Sequence, residues 1–392
     1  MTGTLRSIPL IWKFPKRNIF ECMILHYLFL KVNGYACFSI SGELESGKTR
    51  TTAVDRAWFL VCLAVVVTLW TINITVVERP VDVSPLLSIG SRLMWFTCYL
   101  TVLFGIVWNF LYRDKVWSLY VNVFKVDQQL LALGANMYYT EMYLAMIGFS
   151  LVSFVFMGVL NIGHVLDVGF ELWEFSTFLY SNASLMMLVT IYSIAGSLVW
   201  LRLWALNSVM ERDIQGSGNP KIIQVRGKDF VQTVRQYMQI YDQLCDLTET
   251  VNFCYSMQVM ITVAGSFVYL LFFAFGVILF IKENNSVFDF STASLVWSVF
   301  YIMSILLIVA VGSTVRHLGR NTAKLIDRAI DSSTDAEIIE MLSLFLMQLG
   351  HRSPTLTCGL FPFDWSLVYS ILATSTTYLI ILVQFENSRS NE

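Results

Sequence analysis

The residues best able to do chemistry lie at the C-terminal end of the chain. Ile381, Gln384 and Phe385 fall at helical positions i, i+3 and i+4, and Thr377 and Thr374 extend the same face inward. An amide, hydroxyls and an aromatic ring on one face can serve conduction. Symmetric copies of such a helix can line an aqueous path with amides, hydroxyls and apolar rings. Glu386 follows at once and would set a carboxylate ring at the mouth, raising local cation concentration. The same helix carries Ser370, Ala373, Thr374, Ser375, Thr376 and Thr377, a small-residue run that also serves plain helix packing, and the pattern alone does not separate the two.

Enzymatic chemistry finds no comparable footing. His26, His164, His317 and His351 are dispersed, with no HExxH, CxxC or nucleophile-elbow spacing, so no catalytic site, metal or cofactor is assigned. Gly42 to Thr49 spell G-x-x-x-x-G-K-[ST], yet such a loop cradles phosphate only between a buried strand and a helix of a parallel sheet. Here a candidate span begins within ten residues, which predicts a solvated linker. Nothing suggests nucleic-acid binding. The seven cysteines fall in spans or on the basic side, so no extracellular disulfide framework is expected.

Positioning the C-terminal face is a matter of membrane helices. Hydrophobic residues make up 56% of 392, charged residues 14%, and mean hydropathy is +0.62, against about 25% charge in a soluble domain. Seven stretches free of Asp, Glu, Lys and Arg approach or exceed the roughly 20 residues needed to cross hydrocarbon: 57–77, 93–112, 142–166, 175–201, 250–281, 290–315 and 365–385. They lack the strict alternation of barrel strands, and lipid requires backbone groups to be satisfied internally, so the fold class is an all-α membrane protein.

Twenty-two of the 26 basic residues fall on one side when alternate segments are assigned to opposite faces. Basic residues mark the cytosolic side, so the N-terminus is expected in the cytosol and the tail, 386–392, outside. That is the reverse of a G-protein-coupled receptor, and the seventh span lacks Asn-Pro-x-x-Tyr. The sequon at Asn284 then lies in an extracellular loop and is expected to be glycosylated. Charge-free spans also lack the midplane ionisable groups on which ion-coupled transport depends, making a transporter the weaker alternative, ahead of a metabotropic receptor.

The cytosolic segments carry structure of their own. In 1–56, Ile19 to Leu30 is too short to span and suits a helix lying on the inner leaflet or packed beneath the bundle. Extensions are expected around 113–137 and 202–249. Val231, Val234, Met238, Tyr241, Cys245, Thr248 and Asn252 trace one seam of a helix running unbroken from about 229 to 281, serving its own subunit or a neighbouring one. In 316–364, Thr334-Asp335-Ala336-Glu337 has capping-box spacing and opens a helix whose apolar residues need a partner.

The terminal segment Thr377-Tyr378-Leu379-Ile380-Ile381-Leu382-Val383-Gln384-Phe385, with Cys358-Gly359-Leu360-Phe361 before it, closely resembles the signature of insect gustatory receptors, relatives of the odorant receptors. The resemblance implies a homo- or heterotetrameric ligand-gated channel for Na+, K+ and Ca2+ in the plasma membrane of sensory neurons. It implies a cytosolic anchor where subunits meet, a pore helix at 365–385, and a constriction at Ile381, Gln384 and Phe385. It also implies a tastant site in the extracellular half of the bundle formed by 57–315. Candidates for its lining are Trp95, Tyr99, Trp173, Tyr180, Phe267, Tyr269, Trp297 and Tyr301, although Trp and Tyr equally gather at membrane interfaces. Few carboxylates or amides accompany them, which favours an apolar, bitter-type ligand over a sugar.

Overall fold

In a computed structural model, residues 15–41, 48–75, 85–168, 171–215, 227–284 and 292–389 are described. The elements in chain order are α1 (Ile19–Val32), β1 (Ser39–Ser41), β2 (Lys48–Arg50), α2 (Ala53–Thr75), α3 (Pro85–Leu111), α4 (Arg113–Ala132), α5 (Tyr139–Val168), α6 (Leu172–Gln215), α7 (Gly227–Asn284), α8 (Thr292–Ser332), α9 (Ala336–His351) and α10 (Trp365–Arg389). Helices α2, α3, α5, α6, α7, α8 and α10 are each long and apolar enough to cross a membrane. The most apolar window of α6 is 78% buried and that of α10 only 6%, so α6 is the axis of the bundle and α10 stands at its edge.

Local chemistry fixes the smaller elements. Asn18 caps α1 by accepting from Glu21 N at 3.0 Å, while Glu21 Oε2 accepts from Arg17 N at 2.9 Å. The helix is tucked beneath the bundle, with Phe20 against Trp117 and Phe124 at 5.6 and 5.4 Å and Cys22 Sγ donating to Tyr139 O. One face of the helix is thus held by packing, while Leu25, Phe29 and Val32 stay exposed on the other. The expected linker after it is a hairpin: β1 and β2 pair antiparallel with Ile40 opposite Thr49. Lys48 and Thr49 therefore sit in a strand, while a phosphate loop places them at the start of a helix. The intervening residues 42–47 lie outside the described ones.

Helix α7 is 58 residues long, roughly 85 Å at 1.5 Å per residue, so a large part of it projects beyond lipid. Its seam is occupied within the same chain. Tyr241 meets Phe345 of α9 edge-on at 5.9 Å, Gln348 Nε2 donates to Met238 O at 3.4 Å, and Ile338, Leu342, Phe345 and Leu349 are the buried face of α9. Arg352, just past α9, spans Asp242, Asp246 and Glu249 on successive turns of α7. Hydrogen bonds that it donates to Glu249, Asp246 and then Asp242 hold its pKa above the usual guanidinium range. The cap of α9 is Asp335, accepting from Glu337 N at 3.0 Å, in place of the Thr334 that the capping-box spacing indicated.

A buried ion pair closes the same end of the bundle. Arg202 of α6 donates from Nε and Nη2 to the two oxygens of Asp127 of α4, both at 2.8 Å, and Tyr139 at the start of α5 donates to Asp127 Oδ2 at 2.9 Å. Both charged side chains are within 1% of full burial. Arg202 is the first residue beyond the charge-free stretch 175–201, and its partner lies 75 positions earlier. Removing one member of such a pair strands the other charge, at about 3–5 kcal/mol. Asp127→Asn is therefore expected to lower the midpoint of thermal unfolding strongly in detergent, followed by fluorescence-detected chromatography, and a double Asp127→Asn/Arg202→Met variant is expected to recover much of the loss.

Candidate functional site

Two regions gather the residues singled out from the sequence. The first is a small aromatic core separate from the main one and remote from the Arg202 end. Trp95 of α3 meets Phe178 of α6 at 6.0 Å, Phe178 meets Trp297 of α8 edge-on at 4.6 Å, and Tyr269 of α7 lies 4.3 Å from Tyr301 of α8. Tyr99 borders it, 6.2 Å from Trp95, and donates to Thr177 O at 3.2 Å. Cys98 Sγ and Tyr301 Oη are 3.7 Å apart. Four helices thus present rings to one another because each carries an aromatic face at three- and four-residue spacing.

Trp297 is the group in this cluster with unused chemistry. It is 5% exposed, and its Nε1–H has no acceptor among the described residues. A buried donor left without a partner costs about 1–3 kcal/mol, which an acceptor brought by a ligand would offset.

Five of the eight expected lining residues meet here: Trp95, Tyr99, Tyr269, Trp297 and Tyr301. The other three do not. Trp173 is 55% exposed at the start of α6, Tyr180 packs against the main core, and Phe267 lies edge-on to Tyr378 of α10 at 6.4 Å. Phe178 and Phe300 belong to the cluster and were missed. The spacing Trp297, Phe300, Tyr301 was the available signal for Phe300, and a reading weighted toward Trp and Tyr passes over phenylalanine.

The second region is α10 and its attachment. Asn252 of α7 clamps the approaching chain twice, donating from Nδ2 to Thr355 O at 2.9 Å and accepting at Oδ1 from Thr357 N at 3.0 Å. Gly359 turns the chain at φ +86°, a left-handed conformation that glycine adopts without Cβ strain. At Gly312 of α8 an added Cβ would lie 1.9 Å from Phe363 O, so the backbone reaches α10 through space that only glycine leaves. Asp364 then caps α10, accepting from Ser366 N at 3.0 Å, and pairs with Arg316 of α8. Burial raises its pKa, but the Ser366 bonds and Arg316 outweigh that and hold the carboxyl below its ordinary value.

Beyond this collar α10 is covered on one stripe only. Leu367 is buried, and Ile371, Ser375, Leu379, Leu382 and Glu386 are half-buried, all on the side facing the chain's own bundle. Thr377 and Gln384 lie on the opposite side, and Thr374, Ile381 and Phe385 are exposed as well. Glu386 is thus turned toward its own subunit, away from the side that carries Gln384, and the outer end of α10 is tied by Lys282 Nζ donating to Asn387 Oδ1 at 2.9 Å. The backbone of Asn284 ends α7 nearby, while Asn285 and Ser286 of its sequon lie outside the described residues. No group of three His, Cys, Asp or Glu side chains suited to a metal occurs among the described residues.

Two outcomes follow for the collar. Gly312→Val is expected to displace residues 362–364 and abolish the native elution profile, since backbone and not a flexible side chain must give way. Asp364 contributes stability in full above the ordinary carboxylate range, and loses it as pH falls through its lowered folded-state pKa. Asp364→Asn should therefore unfold at lower temperature than the parent at neutral pH, the two melting curves converging below about pH 4.

Residues 24–388 match the family described as 7tm Chemosensory receptor, and the chain belongs to that family. It is 21% identical over 412 residues to "Putative gustatory receptor 28b" of Drosophila melanogaster, covering 96% of this chain and 87% of that one. To "Putative gustatory receptor 28a" of the same organism it is 32% identical over 162 residues, 39% of this chain and 35% of the relative. The fold is that of the insect olfactory receptor OR5 from Machilis hrabei, with a TM-score of 0.66 at 11% identity, covering 92% of this chain and 96% of the other. The same receptor in complex with eugenol gives a TM-score of 0.57 at 12% identity over the same shares.

Proposed function

We propose that this member of the chemosensory receptor family is a taste receptor subunit that opens a nonselective cation path when a small apolar molecule enters the cluster around Trp297. The observation that carries the reading is α10. A helix apolar and long enough to span lipid, yet 6% buried in its own chain, needs other helices to cover it. Its polar face, Thr377 and Gln384, points away from the one bundle that covers it. Four copies around a central axis, or copies mixed with other gustatory receptors, bring those faces together.

In that arrangement Thr374 and Thr377 line the path, Gln384 supplies amide oxygens to Na+, K+ or Ca2+, and Ile381 and Phe385 form the closing ring. The side that carries the projecting half of α7 is cytosolic, as the basic residues indicate, so the closing ring faces outward in the plasma membrane of a sensory neuron. Coupling runs from α8, which carries both Trp297 and Tyr301 of the cluster and Gly312 and Arg316 of the collar. A ligand that parts the rings on α8 would shift the collar and with it α10. The eugenol complex of the structural relative supports a small organic ligand. The buried, unpartnered Nε1–H of Trp297 favours an apolar molecule carrying an acceptor over a sugar.

Expression in cells without endogenous chemoreceptors, with current recording, tests the reading. A tastant-evoked cation current is expected, with Gln384→Ala changing relative Na+ and Ca2+ permeability and Trp297→Phe raising the half-maximal ligand concentration about tenfold, the worth of about 1.4 kcal/mol. A monomer in native-like lipid, or permeability indifferent to residue 384, would sink it. Glycosidase treatment of the expressed protein is expected to shift its mobility, and Asn284→Gln to abolish that shift.

A further inference from the structure

A cavity of about 470 Å³ lies away from the aromatic cluster, between the first turns of α5, the middle of α6, and Leu307 and Val311 of α8. It falls within the 300–1,000 Å³ of small-molecule sites. Its floor is apolar: Met142, Met146 and Phe149 of α5 face Ile194 of α6 and the two α8 side chains. Ser193 and Ser197 also reach it, but each hydroxyl donates back to its own helix, to Val189 O and Ile194 O at 2.7 Å, and asks nothing of an occupant. Ala145 and Trp204 are exposed along its edge, so the cavity opens sideways where lipid would lie.

The rim differs from the floor. Tyr138, Trp200 and Trp204 stand at the end where α5 begins, with Glu141 among them. Arg202 also borders the cavity, but its charge is met by Asp127 at 2.8 Å and its remaining nitrogen faces Leu198 O and Met142 Sδ. Glu141 is exposed, and no ion pair or hydrogen bond reaches its carboxylate among the described residues. The one uncompensated charge on this cavity is therefore negative, and aromatic faces surround it. Carboxylate and π-faces together recognise an alkylated ammonium group.

We propose that this cavity binds a cationic amphiphile, a protonated or quaternary amine with one apolar tail, entering from the leaflet with its head at Glu141 and its tail along α5. From Tyr138 to Phe149 the channel runs for roughly 16 Å at 1.5 Å per residue. A zwitterionic phospholipid fits less well, because its phosphate would approach the same carboxylate. The site is independent of the conduction reading, and binding can be measured without current.

The test uses the full chain in phosphatidylcholine nanodiscs and follows tryptophan fluorescence while 2-bromododecyltrimethylammonium, whose bromine lies next to the head group and so beside Trp200 and Trp204, is added. Saturable quenching is expected, with about tenfold weaker binding in Glu141→Gln and for 2-bromododecyl sulfate. Ala145→Phe and Ser197→Phe, which fill the cavity from opposite walls, are expected to abolish it, each with an unchanged elution profile. Equal quenching by the two head groups, or no effect of Glu141→Gln, would show a groove that takes any lipid tail and overturn the proposal. So would quenching retained in a Trp200→Phe/Trp204→Phe variant, which places the probe elsewhere, or quenching that rises linearly as bulk partition does.

Discussion

The last helix is gripped most closely at one short backbone passage, and its placement depends on how that passage is held. Between Thr355 and Ser366 the chain is gripped by the Asn252 carboxamide, threaded past Gly312, and fastened by Asp364 to Arg316 and to the first turn of α10. Backbone packed on backbone is stiff, because no rotamer can absorb a displacement. Motion of α7 or α8 at that level therefore passes directly to α10. Over most of its length the helix has a single covered stripe and is free to follow.

The remainder of the bundle is built to resist. Helix α6 is buried along most of its span, and at one end its Arg202 is locked to α4 and α5 through Asp127 and Tyr139. A charge pair out of water is weak as a source of stability but unforgiving of misalignment, since each member is costly without the other. The long seam of α7 is closed by α9 of the same chain, with Arg352 bridging three acids. This leaves other surfaces, among them the exposed Leu344 and Met347 of α9, for contact with further subunits in the proposed assembly.

An aromatic cluster and a cavity then sit at the start and the middle of α8 and differ in chemistry. Around Trp297 the rings pack closely and a single N–H is left over. Beside Glu141 an apolar groove ends in one carboxylate. The first shares its helix with the collar, and this is the physical basis for giving it the gating role. The second touches α8 only at Leu307 and Val311, one residue before Gly312, and Val311 is also the side chain that an added Cβ at Gly196 would strike.

Much of this was legible beforehand. Absence of charge over about twenty residues marks a span because a charge in hydrocarbon is expensive, and each of the seven stretches falls on one of the seven candidate spanning helices, with α6, α7 and α8 running well past theirs at one end. The seam of α7 was legible as a periodicity, and Thr377 and Gln384 as one face of a helix. Pairings between distant positions were not. Nothing in the local pattern of Arg202 names Asp127, nothing at Asn252 names Thr355, and Glu386 reads as a mouth residue until the covered stripe of α10 is known. By itself the sequence determined the spanning helices, their number and their apolar character, since hydrocarbon acts on each residue separately. Only the tertiary structure decided which faces meet, which charges are neutralised and which side of α10 is left uncovered, because those depend on close packing among segments remote in the chain.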